Sequence, residues 1–196
     1  MARSFEPDPE RDLILDTSAM KALAHPLRMR LLSLLRAHGP ATATQLAARV
    51  GVNTGATSYH LRQLAAAGLV VEDEKRGNAR DRWWKAAHRR TYLQGSPGPD
   101  SAELEGAYLD AVAEVYASNM RQAIAELPTL PKAWDSATTL SNYGLRLTAT
   151  EAASLLEDLE AVIAGYRSAD STAPSPRGAR RVTLQLQAFV TPGGGS

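Results

Sequence analysis

Between Asn53 and Ala67 the chain reads NTGATSYHLRQLAAA, and its polar side chains gather on one side of a helical wheel. Thr57, Leu61 and Leu64 recur at helical spacing and form the apolar side. Roughly opposite them stand Thr54, Ser58, Tyr59 and Arg62, flanked by Asn53 and Gln63. An arginine can donate two hydrogen bonds to guanine O6 and N7, and Ser, Thr and Asn can reach bases or phosphates. The chemistry open to this set is therefore recognition of a nucleic acid rather than bond making. Tyr59 has a second available role, packing against a preceding helix, and His60 reads as a packed or phosphate-adjacent histidine. A second group, Lys75, Arg76, Arg80 and Arg82, surrounds Gly77-Asn78. A basic loop of this kind can follow a phosphate backbone, and an arginine can enter a narrow A·T-rich minor groove. The alternative is a set of solvated cations on an exposed hairpin.

The flanking sequence supplies the elements that would hold these groups. Thr42 and Gln45 fit a T-x-x-Q capping box, which starts a helix at Ala43. Leu46, Ala47 and Val50 give that helix an apolar side, and Gly51 breaks it. A second helix starts near Thr54 and ends at Gly68. Two short helices joined by a tight turn form the helix-turn-helix pattern, whose second helix enters the DNA major groove. An ordinary helical hairpin is the competing reading, and the next segment weighs against it. Leu69–Glu72 has strand character, Asp73–Asp81 is a charged tip, and Arg82–Lys85 is a return strand. This is a β-hairpin placed where a wing follows a recognition helix. Trp83 and Trp84 point to opposite faces of the return strand, one into the core and the other seating the wing. Upstream, Asp16 or Thr17 caps a short helix through Leu23. His25-Pro26 interrupts it, and a helix over Pro26–Ala37 buries Leu27, Leu31, Leu34 and Leu35.

The run LAHPLRMRLLSLL (Leu23–Leu35), with SYHLRQLAAAGLV and RDRWW, resembles the winged-helix regulators of the ArsR family. The resemblance covers about residues 16–90. It implies a homodimer that binds a palindromic operator and represses transcription, with Asn53–Ala67 as recognition helix. The family's metal sensors carry a Cys-x-Cys pair in the first motif helix. Aligning their Leu-Ala on Leu46-Ala47 puts Thr42 and Thr44 at those positions, and hydroxyls are poor ligands for soft metals. That thiolate site is absent, and no cofactor is expected.

Charge is unevenly placed. Residues 16–92 hold 13 Lys/Arg against 5 Asp/Glu, whereas residues 93–196 hold 7 against 12. A basic first half suits a polyanion-binding module joined to something else. With no cysteine, disulfides are excluded. There is no apolar run of about 18 residues to span a membrane and no apolar signal core at the amino terminus, so a cytoplasmic protein is expected. No P-loop, G-x-S-x-G or H-E-x-x-H pattern occurs, the four histidines are scattered, and the chain does not read as an enzyme.

The expected class is mainly α with a small β content. The sequence divides into a flexible tail (1–15), a winged helix-turn-helix domain (16–92), a linker (93–100), a carboxyl-terminal dimerisation and effector region (101–190) and a second tail (191–196). In that region a long helix carries the stripe Leu104, Tyr108, Val112, Val115, Tyr116 and Met120, read as a subunit interface. A second helix opens at Thr148–Glu151, another capping box, and buries Leu155, Leu156, Leu159, Val162 and Ile163. Strands are expected near 138–147 and 181–190. Trp134, Tyr143, Tyr166 and Phe189 could line a cavity for a small-molecule effector. Double-stranded DNA, a second copy of the chain and such an effector are the expected partners. A metal-responsive regulator with oxygen and nitrogen ligands, or a winged-helix protein–protein module, are the alternatives.

Overall fold

The computed structural model describes residues 7–76, 81–93, 99–167 and 174–191. One compact unit spans Pro7–Ala137, and the chain from Thr138 onward belongs to another.

The first unit is a helical module edged by two small sheets. Helix α1 (Thr17–Leu23) is capped by Asp16, whose carboxylate accepts from the Ala19 amide at 2.7 Å. Helix α2 (Pro26–His38) opens with proline at its first position, where no amide is needed. Helix α3 (Ala43–Val50) carries the expected reciprocal cap, with Thr42 and Gln45 each bonding the other's backbone. Helix α4 (Thr54–Ala66) is capped by Asn53. Strands β1 (Asp12–Ile14), β2 (Ala41–Thr42), β3 (Val70–Glu72), β4 (Trp83–Ala86) and β5 (Arg90–Tyr92) form two sheets. β4 lies between β2 and β3, antiparallel to both, with Glu72 opposite Trp84. β1 pairs with β5 in parallel.

The core joins Met20 and Leu23 of α1, Leu31 and Leu32 of α2, Leu46 of α3, Leu61 and Leu64 of α4, Leu69, Val70 and Trp84. Leu27 and Leu34, expected inside, are only partly covered, while Met29 and Leu32 are buried. α2 packs on α4 and β4 and also on the long helix α5 (Pro99–Glu126), so its buried face is wider than one stripe. Between α3 and α4 the chain turns at Gly51, which is left-handed at φ +75°. A Cβ there meets nothing within 4 Å, so only backbone conformation is at issue. Gly51→Ala is expected to cost about 1–2 kcal/mol, the left-handed penalty for an L-residue, measured by urea unfolding.

Several expectations change. Residues 12–15 are not a tail: β1 pairs with β5, and Asp12 and Leu15 are buried. Asp12 accepts from the Asp8 amide and faces Arg89 at 3.9 Å. The neighbouring Arg36 is mostly buried and donates to the His88 carbonyl at 3.1 Å. Desolvation lowers its pKa to about 10, against the opposing pull of Tyr108 and Asp12, so it stays cationic at neutral pH. The domain boundary also moves, because α5 packs on α1 and α2 and belongs to the first unit.

In the second unit, helix α6 (Ala149–Ala164) forms with its Thr148–Glu151 capping box. Its apolar side is not buried within the chain, and Leu159 remains 37% exposed. The strands expected near 138–147 and 181–190 are absent, and both stretches are irregular. Their alternating residues, such as Leu145, Val182 and Leu184, stay exposed, so the pattern has no apolar layer to lie against. Tyr143, Tyr166 and Phe189 are about 80% exposed. Trp134, in a short 3-10 turn of the first unit, is half-buried.

Candidate nucleic-acid interface

Helix α4 is held on one side and open on the other. Thr57, Leu61 and Leu64 are fully buried, α4 packs on α3, and the small Ala47 of α3 is buried too. The Thr57 hydroxyl donates to the Asn53 carbonyl at 3.1 Å, so the one polar group on the buried side is satisfied. On the open side Asn53, Thr54, Tyr59 and Arg62 are exposed, while Ser58 and Gln63 are partly covered. Tyr59 is 55% exposed, so packing against α3 does not claim it. Its ring meets the His60 ring edge-on at 5.3 Å. The Asn53 side-chain oxygen is engaged in the cap, accepting from the Ala56 amide at 2.8 Å. Its amide nitrogen is the group left for a base or phosphate. The uncovered amides of the first turn favour an anion at this helix end. Gly55, exposed in that turn, was not singled out from the sequence. A Cβ there would lie 3.3 Å from Asn53 Oδ1, so glycine leaves room for the capping side chain.

The hairpin brings a second set of cations beside the helix-turn-helix in sequence order, and its base is ordered by two carboxylates. Asp73 is buried and lies 3.6 Å from Lys85 and 3.7 Å from Arg76. Glu72 meets Arg82 at 3.2 Å. Each arginine also lies over an indole, Arg76 over Trp83 at 5.9 Å and Arg82 over Trp84 at 5.8 Å, within cation–π range. Trp84 is the buried one of the two and Trp83 is half-buried. The Glu72–Arg82 pair is exposed on both sides and contributes only about 0–1 kcal/mol, so a phosphate can compete for the Arg82 guanidinium. Lys75 is exposed, and Arg80, with Gly77 and Asn78, lies outside the described residues. Asp73 and Lys85 were not marked from the sequence as wing-ordering residues. The burial of Asp73 is set by the β3–β4 pairing, since its amide donates to the Trp83 carbonyl.

The stripe on α5 divides. Tyr108 and Val115 are buried, and Leu104 and Val112 are partly buried, against the first unit's own core. These four are therefore engaged within the chain. Tyr116 is half-covered and Met120 is exposed. Among the described residues no three His, Cys, Asp or Glu side chains are placed to hold a metal ion, and no described helix is long and apolar enough to cross a membrane.

Comparison with known proteins bears on the same segment. Residues 23–73 match the family described as "Helix-turn-helix domain". The HTH-type transcriptional regulator NmtR of Mycobacterium tuberculosis is 45% identical over 56 residues, 29% of this chain and 46% of that regulator. The match thus spans less than half of the regulator's length. Among solved structures, the homodimeric winged helix-turn-helix DNA-binding domain of a possible ArsR-family regulator from Mycobacterium bovis is 25% identical. It covers 54% of this chain and 81% of that one, with a TM-score of 0.33. A possible transcriptional regulator for arsenical resistance is 27% identical, covering 54% of this chain and 97% of that one, also with a TM-score of 0.33.

Proposed function

We propose that this chain is a winged helix-turn-helix regulator of the ArsR type, a homodimeric, sequence-specific DNA-binding repressor acting in the cytoplasm. The observation that carries this reading is the open side of α4, where Thr54, Tyr59 and Arg62 are exposed opposite a fully buried Thr57–Leu61–Leu64 side. Among the described residues no carboxylate pairs with Arg62, which leaves its fork of donors available for a guanine edge. Lys75, Arg76, Arg82 and, from the sequence, Arg80 then supply phosphate contacts from the wing. These set affinity and its salt dependence rather than sequence choice.

The pairing surface we propose is a second stripe on α5, turned away from the packed one. Leu109, Ala113, Tyr116, Met120 and Ala123 follow one another at alternating spacings of four and three residues, the repeat of a helix–helix seam. Leu109 and Met120 on this stripe are exposed, as is Ile124 beside it. A two-fold dimer presents two copies of α4 to one duplex, which calls for an inverted-repeat operator.

Selection of bound fragments from a random duplex pool by the purified full chain tests this reading. The expected product is an inverted repeat with half-site centres about 10–10.5 base pairs apart, or a multiple of that distance. Recovery of no common sequence would remove the assignment.

A further inference from the structure

Where α2 begins, its cap meets the recognition helix. His25 is the N-cap residue of α2, and its Nδ1 accepts from the Leu27 amide at 3.2 Å. That bond requires a neutral ring with its proton on Nε2, because a protonated Nδ1 has no lone pair to offer. The same ring lies against His60 of α4, with centroids 4.6 Å apart and planes inclined at 53°. His60 Nδ1 is buried with no hydrogen-bond partner among the described residues. Arg28 sits one turn into α2 and donates from Nη2 to the Lys21 carbonyl at the end of α1, at 3.0 Å. Three helices thus meet at one point through two imidazoles and a guanidinium.

We infer that His25 and His60 form a proton-sensitive joint that seats the recognition helix on α2, making His60 a positioning residue for DNA recognition. The inference rests on the reading of α4 as the recognition helix. A proton on His25 would remove the α2 cap. A proton on His60 would place charge in a partly desolvated site facing His25 and Arg28, both of which repel it. Burial is the largest cause holding the His60 imidazole below its ordinary value of 6.5, and His25 and Arg28 push it further down. The charged and titratable groups at the joint are Lys21 at the end of α1, His25 and Arg28 of α2, and Tyr59 and His60 of α4 itself.

The sign follows from linkage. The unfolded chain takes the proton at the ordinary imidazole value and the folded chain only below it. The joint's contribution is therefore complete above the ordinary range, falls as the pH drops through 6.5, and is gone below the lowered folded value. A proton near DNA also raises attraction to any phosphate backbone, so bare affinity does not report the joint. The ratio of affinity for a selected duplex to that for a scrambled one cancels this attraction.

The experiment compares the full chain with His60→Gln and His25→Asn between pH 8 and 5.5. It reads urea unfolding, exchange of the Leu27 amide, and the selected-to-scrambled affinity ratio. Asparagine retains a capping oxygen and glutamine retains size, so both variants are expected to fold. The wild type is expected to lose stability, Leu27 protection and discrimination together as the pH falls through the imidazole range. His60→Gln should flatten the stability and discrimination profiles, and His25→Asn, whose cap carries no imidazole, should flatten that of Leu27 protection. Parallel profiles for wild type and His60→Gln would overturn the inference even if discrimination is strong at pH 8. If no duplex is discriminated at any pH, the functional reading fails, and unfolding and Leu27 exchange still decide whether the joint exists.

Discussion

Replacing Trp84 with alanine is expected to lower the stability of the amino-terminal unit by about 3–5 kcal/mol, the cost of removing a buried indole. Domains of ordinary stability have about 5–15 kcal/mol in total, so this one change takes a large share. Trp84 lies in β4, the central strand, opposite Ala41 of β2 and Glu72 of β3. It is 4% exposed, and Arg82 rests over its outer face. Losing it leaves a cavity beneath the sheet and removes the surface on which the wing base lies. Urea unfolding followed by far-ultraviolet circular dichroism checks the prediction. Trp83→Ala, at a half-buried position, is the comparison and should cost less. Equal losses at the two positions would mean that the alternation along β4 does not divide core from surface.

The second large effect concerns binding. Arg62→Ala should cost about 1–3 kcal/mol on the selected operator, or roughly 5- to 150-fold in affinity, and relax base preference at one position. Arg76→Ala should act differently, weakening binding to all sequences alike and reducing the slope of log affinity against log salt by about one. The contrast follows from placement. Arg62 projects from the open side of α4 with no carboxylate partner among the described residues, whereas Arg76 stands at the wing base beside Asp73 and over Trp83. Binding titrations at several salt concentrations separate the two roles. A loss that is uniform across sequences on removing Arg62 would turn it into a phosphate contact.

Local signals carried much of this architecture. The Thr42–Gln45 box, the Gly51 break and the Thr57–Leu61–Leu64 stripe each depend on neighbours within a turn or two, and each appears as read. Long-range partners were not legible. β1 pairs with β5 across nearly eighty residues, and nothing in DLI announces which strand it will join. α5 carries two apolar stripes, and sequence periodicity alone did not say which one the chain itself would cover. Packing against α1 and α2 takes Tyr108, Ala111 and Val115, leaving Leu109 and Met120 outside. Alternation at 181–190 failed for the converse reason: a two-residue period makes a strand only where another strand and an apolar layer are present to receive it. Asp73 looked like one more charge at a hairpin tip, and its burial became visible only with the β3–β4 register.

The most direct measurement is equilibrium binding of the purified chain to its selected duplex and to a scrambled one, at low ionic strength. The wild type would be compared with a variant carrying alanine at Arg62, Arg76 and Arg80. A DNA-reading surface on α4 and the wing predicts clear preference by the wild type and loss of both preference and affinity in the triple variant. Indistinguishable binding by the two proteins, or no preference for any duplex, would contradict it.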